Sequence, residues 1–377
     1  MRSFAPALAA LLIACSGAEP IDDVTRDGGV DTTDPRDAGT HDAGSATDSG
    51  ATRDAGSTTD GGNPDAGTDR DGGAERDGGL QERDGGDTPT PVAPPTLPGP
   101  YTSTALNGTA PTTSTNDIDM SCLVPSQGPS AGPYPVVLVL HGFRIDANLY
   151  DSYVERLASH GFVACTADFA ASVIPNHVES AQDILEGLDW VLAQTTDADP
   201  DRVALVGHSL GGKLAVYGAS MDPTIDAIVG LDPVDGAMLC NATRCPDATD
   251  MLPVSIPTAF LGQTLDRMPG LGGQACTPTA DSYTTFYTPA TSPSLEVTMN
   301  GASHMSFVDD LEACGFVCSV CQEATMAQAD ALAIARAYTT AFLLRHVVGD
   351  AGYDSWLTGA DANVNWIAGG AITVQSK

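Results

Sequence analysis

From residue 101 onward, short apolar runs alternate with stretches of helical period. Largely apolar runs at 136–140, 162–167, 203–206 and 227–231 have the length of strands, and two later strands fit 257–261 and 295–299. Between them, Ile184, Leu188, Val191 and Leu192 share one face of a helix predicted over 178–194. A second helix is predicted to begin at Ser209, and a third to run over 325–348. Strands without polar alternation are buried on both faces, so this order predicts a mostly parallel sheet with helices on both sides. In such sheets ligands gather at the carboxyl ends of the strands.

The first 98 residues break the pattern. Residues 1–14 carry Arg2 and an apolar core ending Leu11-Leu12-Ile13-Ala14, which is an export signal too short to span a bilayer. Leu12-Ile13-Ala14-Cys15 also matches the bacterial lipobox, so Cys15 is expected to be acylated and to anchor the protein to a membrane surface. Ser16 after that cysteine directs such a lipoprotein to the outer membrane if the cell is Gram-negative. Without lipidation, Ser16-Gly17-Ala18 would serve as an ordinary cleavage site and the product would be secreted. Residues 15–98 repeat Arg-Asp-Gly-Gly and Arg-Asp-Ala-Gly units, bury nothing and are expected to form a disordered tether. These units lack the alternating oxygen ligands and closing acid of a calcium loop. The expected organisation is therefore a signal peptide at 1–14, a tether at 15–98 and one folded domain at 99–377.

Charge narrows the partners. The formal net charge is −33, and lysine occurs only at Lys213 and Lys377. Such a chain repels phosphate backbones, which excludes nucleic acid as a partner.

Gly207-His208-Ser209-Leu210-Gly211-Gly212 follows a predicted strand and opens a predicted helix. This is the G-x-S-x-G elbow in the context that gives it meaning, and it places the domain in the α/β-hydrolase fold with Ser209 as nucleophile. The backbone N–H groups of Phe143, after the strand ending Leu140-His141-Gly142, and of Leu210 are the expected oxyanion donors. His141 is read as a structural residue beneath that loop. His304, in the small-residue loop Asn300-Gly301-Ala302-Ser303-His304, follows the nucleophile in the order Ser, acid, His and is the expected base. His346 sits at a helix end, where capping is its expected role. For the acid, Asp232 at the end of the next strand and Asp266 after the following one both qualify, with Asp235 a third option. Spacing alone leaves these open.

Together, Gly207-His208-Ser209-Leu210-Gly211-Gly212-Lys213, Gly230-Leu231-Asp232-Pro233-Val234-Asp235-Gly236 and His304-Met305-Ser306-Phe307-Val308-Asp309-Asp310 resemble chlorophyllase. They are similar, more broadly, to platelet-activating-factor acetylhydrolases and bacterial cutinase-like polyester hydrolases. The resemblance covers roughly residues 115–345. It implies carboxylic-ester hydrolysis, with Asp232 as the acid and Asp266 as the alternative. Chlorophyllases usually carry Arg where Leu210 stands, and an exported protein has no evident access to chlorophyll, so only the chemistry is carried over.

Export makes disulfides the default for the eight cysteines after Cys15. Cys240 with Cys245 is the expected local pair, and Cys276, Cys314, Cys318 and Cys321 are expected to form two more around His304. Cys165, in a buried strand, is expected to be a free thiol.

The expected protein is thus a monomeric, extracytoplasmic serine esterase on short-chain or polymeric esters, needing no cofactor and no metal. Lipase-like or peptidase action from the same residues, and a non-catalytic surface binding protein on this scaffold, are the rival readings.

Overall fold

In the computed structural model of the chain, the six predicted strands become six neighbouring parallel strands. The structure describes residues 92–377 apart from 115, 171, 173, 237–239, 253 and 268–274. The signal peptide, Cys15 and the tether as far as residue 91 lie outside the described residues.

The strands are β1 (Thr102–Ala110), β2 (Ile118–Gln127), β3 (Tyr134–Leu140), β4 (Val163–Asp168), β5 (Ala198–His208), β6 (Ile225–Leu231), β7 (Thr258–Gln263), β8 (Ser294–Met299) and β9 (Ile372–Ser376). They form one sheet in the order β1-β2-β4-β3-β5-β6-β7-β8-β9, with antiparallel pairing only at β1–β2, β2–β4 and β8–β9. Alternate residues of the parallel strands feed two separate cores. Val137, Val139, Val206 and Val229 face α1 (Asp151–Ser159) and α4 (Gln328–His346). Val136, Leu138, Leu205 and Ile228 face α2 (His177–Gln194) and α3 (Leu210–Met221). Burial on both faces is why these strands have no polar alternation. This is the arrangement of the α/β-hydrolase fold.

The outer strands have a different logic. β1 is exposed along nearly its whole length, and β2 alternates buried and exposed side chains, as befits antiparallel strands with one wet face.

Residues 92–98 lie on the domain. Arg156 Nη1 donates to the Pro95 carbonyl at 2.9 Å, His160 Nε2 to Leu97 O at 3.0 Å and the Tyr353 hydroxyl to Ala93 O at 3.0 Å. Among the described residues, no helix is long and apolar enough to cross a membrane.

Four disulfides staple the domain: Cys122–Cys165, Cys240–Cys245, Cys276–Cys321 and Cys314–Cys318. The expectation of a free Cys165 is therefore corrected. Cys122 on β2 and Cys165 on β4 are direct cross-strand partners, so their side chains leave the sheet on the same face. That pairing depends on β2, a strand the apolar runs do not reveal.

Candidate active site

Ser209 sits between the end of β5 and the first turn of α3 with φ 53° and ψ −117°, a left-handed backbone rarely adopted by a residue with a Cβ. The flanking glycines are needed because the turn is so tight. A Cβ on Gly207 would lie 2.2 Å from the Gly211 backbone, and one on Gly211 would lie 2.3 Å from Leu140 O. The second contact also seats the start of α3 against the end of β3. It brings the loop after β3 beside the elbow.

Two further loops converge there. His304 follows β8 on a short 3₁₀ turn, His304–Phe307, closed by a reciprocal Ser303–Ser306 capping box. Asp232 follows β6, also at positive φ (45°), and its N–H bonds Leu261 O at 2.6 Å. His304 Nε2 lies 2.9 Å from Ser209 Oγ, and His304 Nδ1 lies 2.7 Å from Asp232 Oδ2. Asp232 is completely buried. Burial pushes its carboxyl up, while the hydrogen bond and charge of His304 pull it back.

Asp266, the other carboxylate singled out in the sequence, is equally buried but reaches the same histidine elsewhere. Its Oδ2 accepts the backbone N–H of His304 at 2.5 Å, and its Oδ1 accepts that of Gln322 at 2.7 Å. Between the two carboxylates stands Gln263, which no sequence signal marked. Its amide Nε2 donates to Asp232 Oδ2 at 3.2 Å and to Thr277 Oγ1 at 2.6 Å, while its Oε1 accepts the Asp266 N–H at 2.8 Å.

Asp235 is not in the site. Its carboxylate pairs with the buried Lys213 at 3.0 Å and caps the Ala248 N–H at 2.8 Å, pinning the loop that follows Asp232. His141 also has a structural part, as expected. Its ring stacks on Phe169 at 4.0 Å between centroids, and its nitrogens face Gly142 O and Phe169 O. His346 packs on Phe342 at 4.5 Å near the end of α4, away from Ser209.

The two expected oxyanion donors flank the nucleophile in sequence or in space. Leu210 is the first residue of α3, so its N–H has no partner within the helix. Phe143 borders the same cleft as Ser209 and His304. Among the described residues, neither N–H group donates a hydrogen bond. The cleft is walled by Ile145, Met305, Val317, Val320 and the Cys276–Cys321 disulfide, a mainly apolar lining to which Arg144 also contributes.

Asp266, Cys276 and Cys321 bring one carboxylate and two sulfurs within 4.8 Å of one another. The two sulfurs are bonded to each other, which leaves no thiolate to bind a metal.

A family model described as Chlorophyllase matches residues 100–357. Among curated proteins, the chloroplastic Chlorophyllase-1 of Citrus unshiu is 30% identical over 197 residues, covering 48% of this chain and 57% of that protein. Chlorophyllase-2 of Arabidopsis thaliana is 27% identical over 205 residues, covering 48% and 62%. Cutinase 2 of Thermobifida cellulosilytica is 29% identical over 119 residues, covering 30% and 41%. The chain thus spans less than two thirds of the length of these curated relatives.

Proposed function

The chain belongs to the chlorophyllase family, and from that premise we propose that it is a serine carboxylic-ester hydrolase working through an acyl-enzyme. The observation that carries the proposal is the unbroken chain Ser209 Oγ, His304 Nε2, His304 Nδ1, Asp232 Oδ2, with links of 2.9 and 2.7 Å.

In this reading His304 Nε2 takes the Ser209 proton as Oγ attacks the ester carbonyl. Negative charge develops on the carbonyl oxygen, and the N–H groups of Phe143 and Leu210 hold it. Asp232 keeps the imidazole in the tautomer with its proton on Nδ1 and stabilises the imidazolium. His304 then returns the proton to the departing alcohol. Water enters, gives a proton to His304 and attacks the acyl carbon; as the acyl–Oγ bond breaks and the acid leaves, His304 returns that proton to Ser209 Oγ. The protein's own side chains and N–H groups perform every step.

The apolar cleft supports an acyl chain as the part of the substrate bound beside Ser209. Short-chain or polymeric esters are the proposed class, in keeping with a cutinase among the relatives. Leu210 stands where chlorophyllases usually carry Arg, so the pigment ester is not part of the proposal. Export, with a lipid anchor on Cys15, is proposed from the Leu12-Ile13-Ala14-Cys15 motif. Four disulfides support an oxidising compartment.

Hydrolysis of a p-nitrophenyl ester chain-length series by wild type and Ser209→Ala tests the function. Turnover lost on Ser209→Ala, with stoichiometric fluorophosphonate labelling of wild type only, is the expected result. A wild type that is neither active nor labelled returns the scaffold to a binding role.

A further inference from the structure

We infer that Tyr150 and His208 form a buried one-way hydrogen-bond relay that sets the oxyanion loop and the His304 loop against the elbow, making Tyr150 a positioning residue for acyl transfer. The inference rests on the esterase reading above and deepens it.

His208 precedes Ser209 and is fully buried, its ring centroid 4.7 Å from that of His304. His208 Nε2 lies 2.9 Å from the backbone carbonyl of His304. A carbonyl oxygen only accepts, so Nε2 carries the hydrogen. In a neutral ring Nδ1 is then an acceptor, and it faces the Tyr150 hydroxyl at 2.6 Å. Tyr150 therefore donates to His208. A lone pair of the same oxygen accepts the Gly142 N–H at 3.2 Å. Each hydrogen has one place to go: Gly142 to Tyr150, Tyr150 to His208, His208 to His304.

Neutrality of the relay follows from its surroundings. Burial pulls the His208 ring well below its ordinary range, and the neighbouring His304 acts in the same direction. Burial likewise pushes the Tyr150 phenol up. A neutral His208 matters because His304, one ring away, must become cationic during each acyl transfer. Two adjacent buried imidazolium rings would oppose each other.

The relay's ends are the two loops the chemistry needs. Gly142 is one peptide before Phe143, whose N–H is an oxyanion donor, and the His304 carbonyl belongs to the base itself. Other bonds brace the same contact: Asp309 takes the Ser152 N–H at 2.9 Å, and the Tyr153 hydroxyl donates to Phe307 O at 3.1 Å. Those bonds hold the segments together. Of all these bonds, the one from the Gly142 N–H to the Tyr150 hydroxyl is the one that reaches the loop that aims Phe143.

The test is Tyr150→Phe, which keeps the ring and removes one O–H, compared with His208→Gln and the double variant on a soluble short-chain ester. His208→Gln keeps an amide donor for the His304 carbonyl, but its flexible amide oxygen no longer fixes an acceptor opposite Tyr150. For Tyr150→Phe we expect kcat to fall by roughly 10- to 100-fold, towards the loss seen when one oxyanion donor is removed, with KM within about twofold. Affinity for a tetrahedral boronic acid falls in parallel, and the double variant falls no further than the worse single, because the pair acts as a unit. A kcat within about twofold of wild type, with only a lowered melting temperature, overturns the relay and leaves Tyr150 a packing residue. Additive losses in the double variant overturn it as well. Wild-type turnover and fluorophosphonate labelling run alongside: an inert wild type overturns the esterase reading and the relay with it, whereas an active wild type with a silent Tyr150→Phe overturns the relay alone.

Discussion

Asp232 and Asp266 hold the same histidine at different atoms. Asp232 Oδ2 meets the ring of His304 at Nδ1, whereas Asp266 Oδ2 takes its backbone N–H. Gln263 links the two residues, its Nε2 on the Asp232 carboxylate and its Oε1 on the backbone N–H of Asp266. One carboxylate orients the imidazole, and the other orients the loop that carries it.

That division predicts unequal penalties. Asp232→Asn removes the ionic partner of the imidazolium and is expected to lower kcat by about 10⁴-fold with the fold intact. Asp266→Asn leaves an amide N–H₂ facing one of two backbone donors, which costs about 1–3 kcal/mol of stability. Its kcat loss should be the smaller, about 10- to 100-fold, through a displaced His304. Steady-state kinetics and urea unfolding of both variants check this. A larger kcat loss for Asp266→Asn would reverse the two roles.

Much of this was legible in the chain. The inner parallel strands are legible because burial on both faces leaves their centres almost without polar residues, and the glycines around Ser209 report a turn too tight for a Cβ. What was hidden depends on long-range pairing. β1 and β9 bury few side chains, so their composition resembles loop. Without β2, Cys165 had no visible partner. Asp232 and Asp266 carry the same local signal, a carboxylate just beyond a strand, and only the path of the His304 loop tells them apart. Gln263 and Tyr150 carry no signal at all, since a single amide or phenol becomes meaningful only once its partners are placed.

The cleft wall gives a second prediction. Val317 and Val320 line it from the segment stapled by Cys314–Cys318 and Cys276–Cys321. Shortening either to Ala lengthens the space open to an acyl chain. In the p-nitrophenyl series, Val317→Ala and Val320→Ala should shift kcat/KM towards longer acyl groups, by about 10-fold relative to the shortest ester. An unchanged chain-length profile in both would place the acyl group elsewhere.

A third concerns the staple itself. Cys276 is followed by Thr277, whose N–H bonds the Asp266 carbonyl, and Cys321 is followed by Gln322, whose N–H bonds its carboxylate. The bridge closes a sequence separation of 45 residues around the site. Paired serine substitution at Cys276 and Cys321 should cost about 2–4 kcal/mol of stability and lower kcat together with it. The same change at Cys240 and Cys245, separated by 5 residues and outside the cleft lining, should leave kcat within about twofold. Equal kinetics in the two double variants would show that the bridge does not support the His304 loop.

The last prediction lies beneath the site, where Lys213 is almost completely buried in α3 with Asp235 as its ion partner. Burial raises the Asp235 carboxyl to about 6, and Lys213 opposes the rise. A carboxyl that titrates near 6 in the fold, and near 3.9 in the unfolded chain, binds more protons when folded across that interval. Its contribution to stability is therefore complete below pH ~4 and is lost as pH rises through about 6. Asp235→Asn removes the titration and is blind to this change. The difference in unfolding free energy, wild type minus Asp235→Asn, should consequently fall between pH 4 and pH 7 by on the order of 2 kcal/mol. Titrations of the other carboxylates are common to both proteins and cancel. Urea unfolding at pH 4, 5, 6 and 7 measures it. A difference that grows with pH would mean that Lys213, and not burial, governs Asp235, and that the pair stabilises the fold as an ordinary salt bridge.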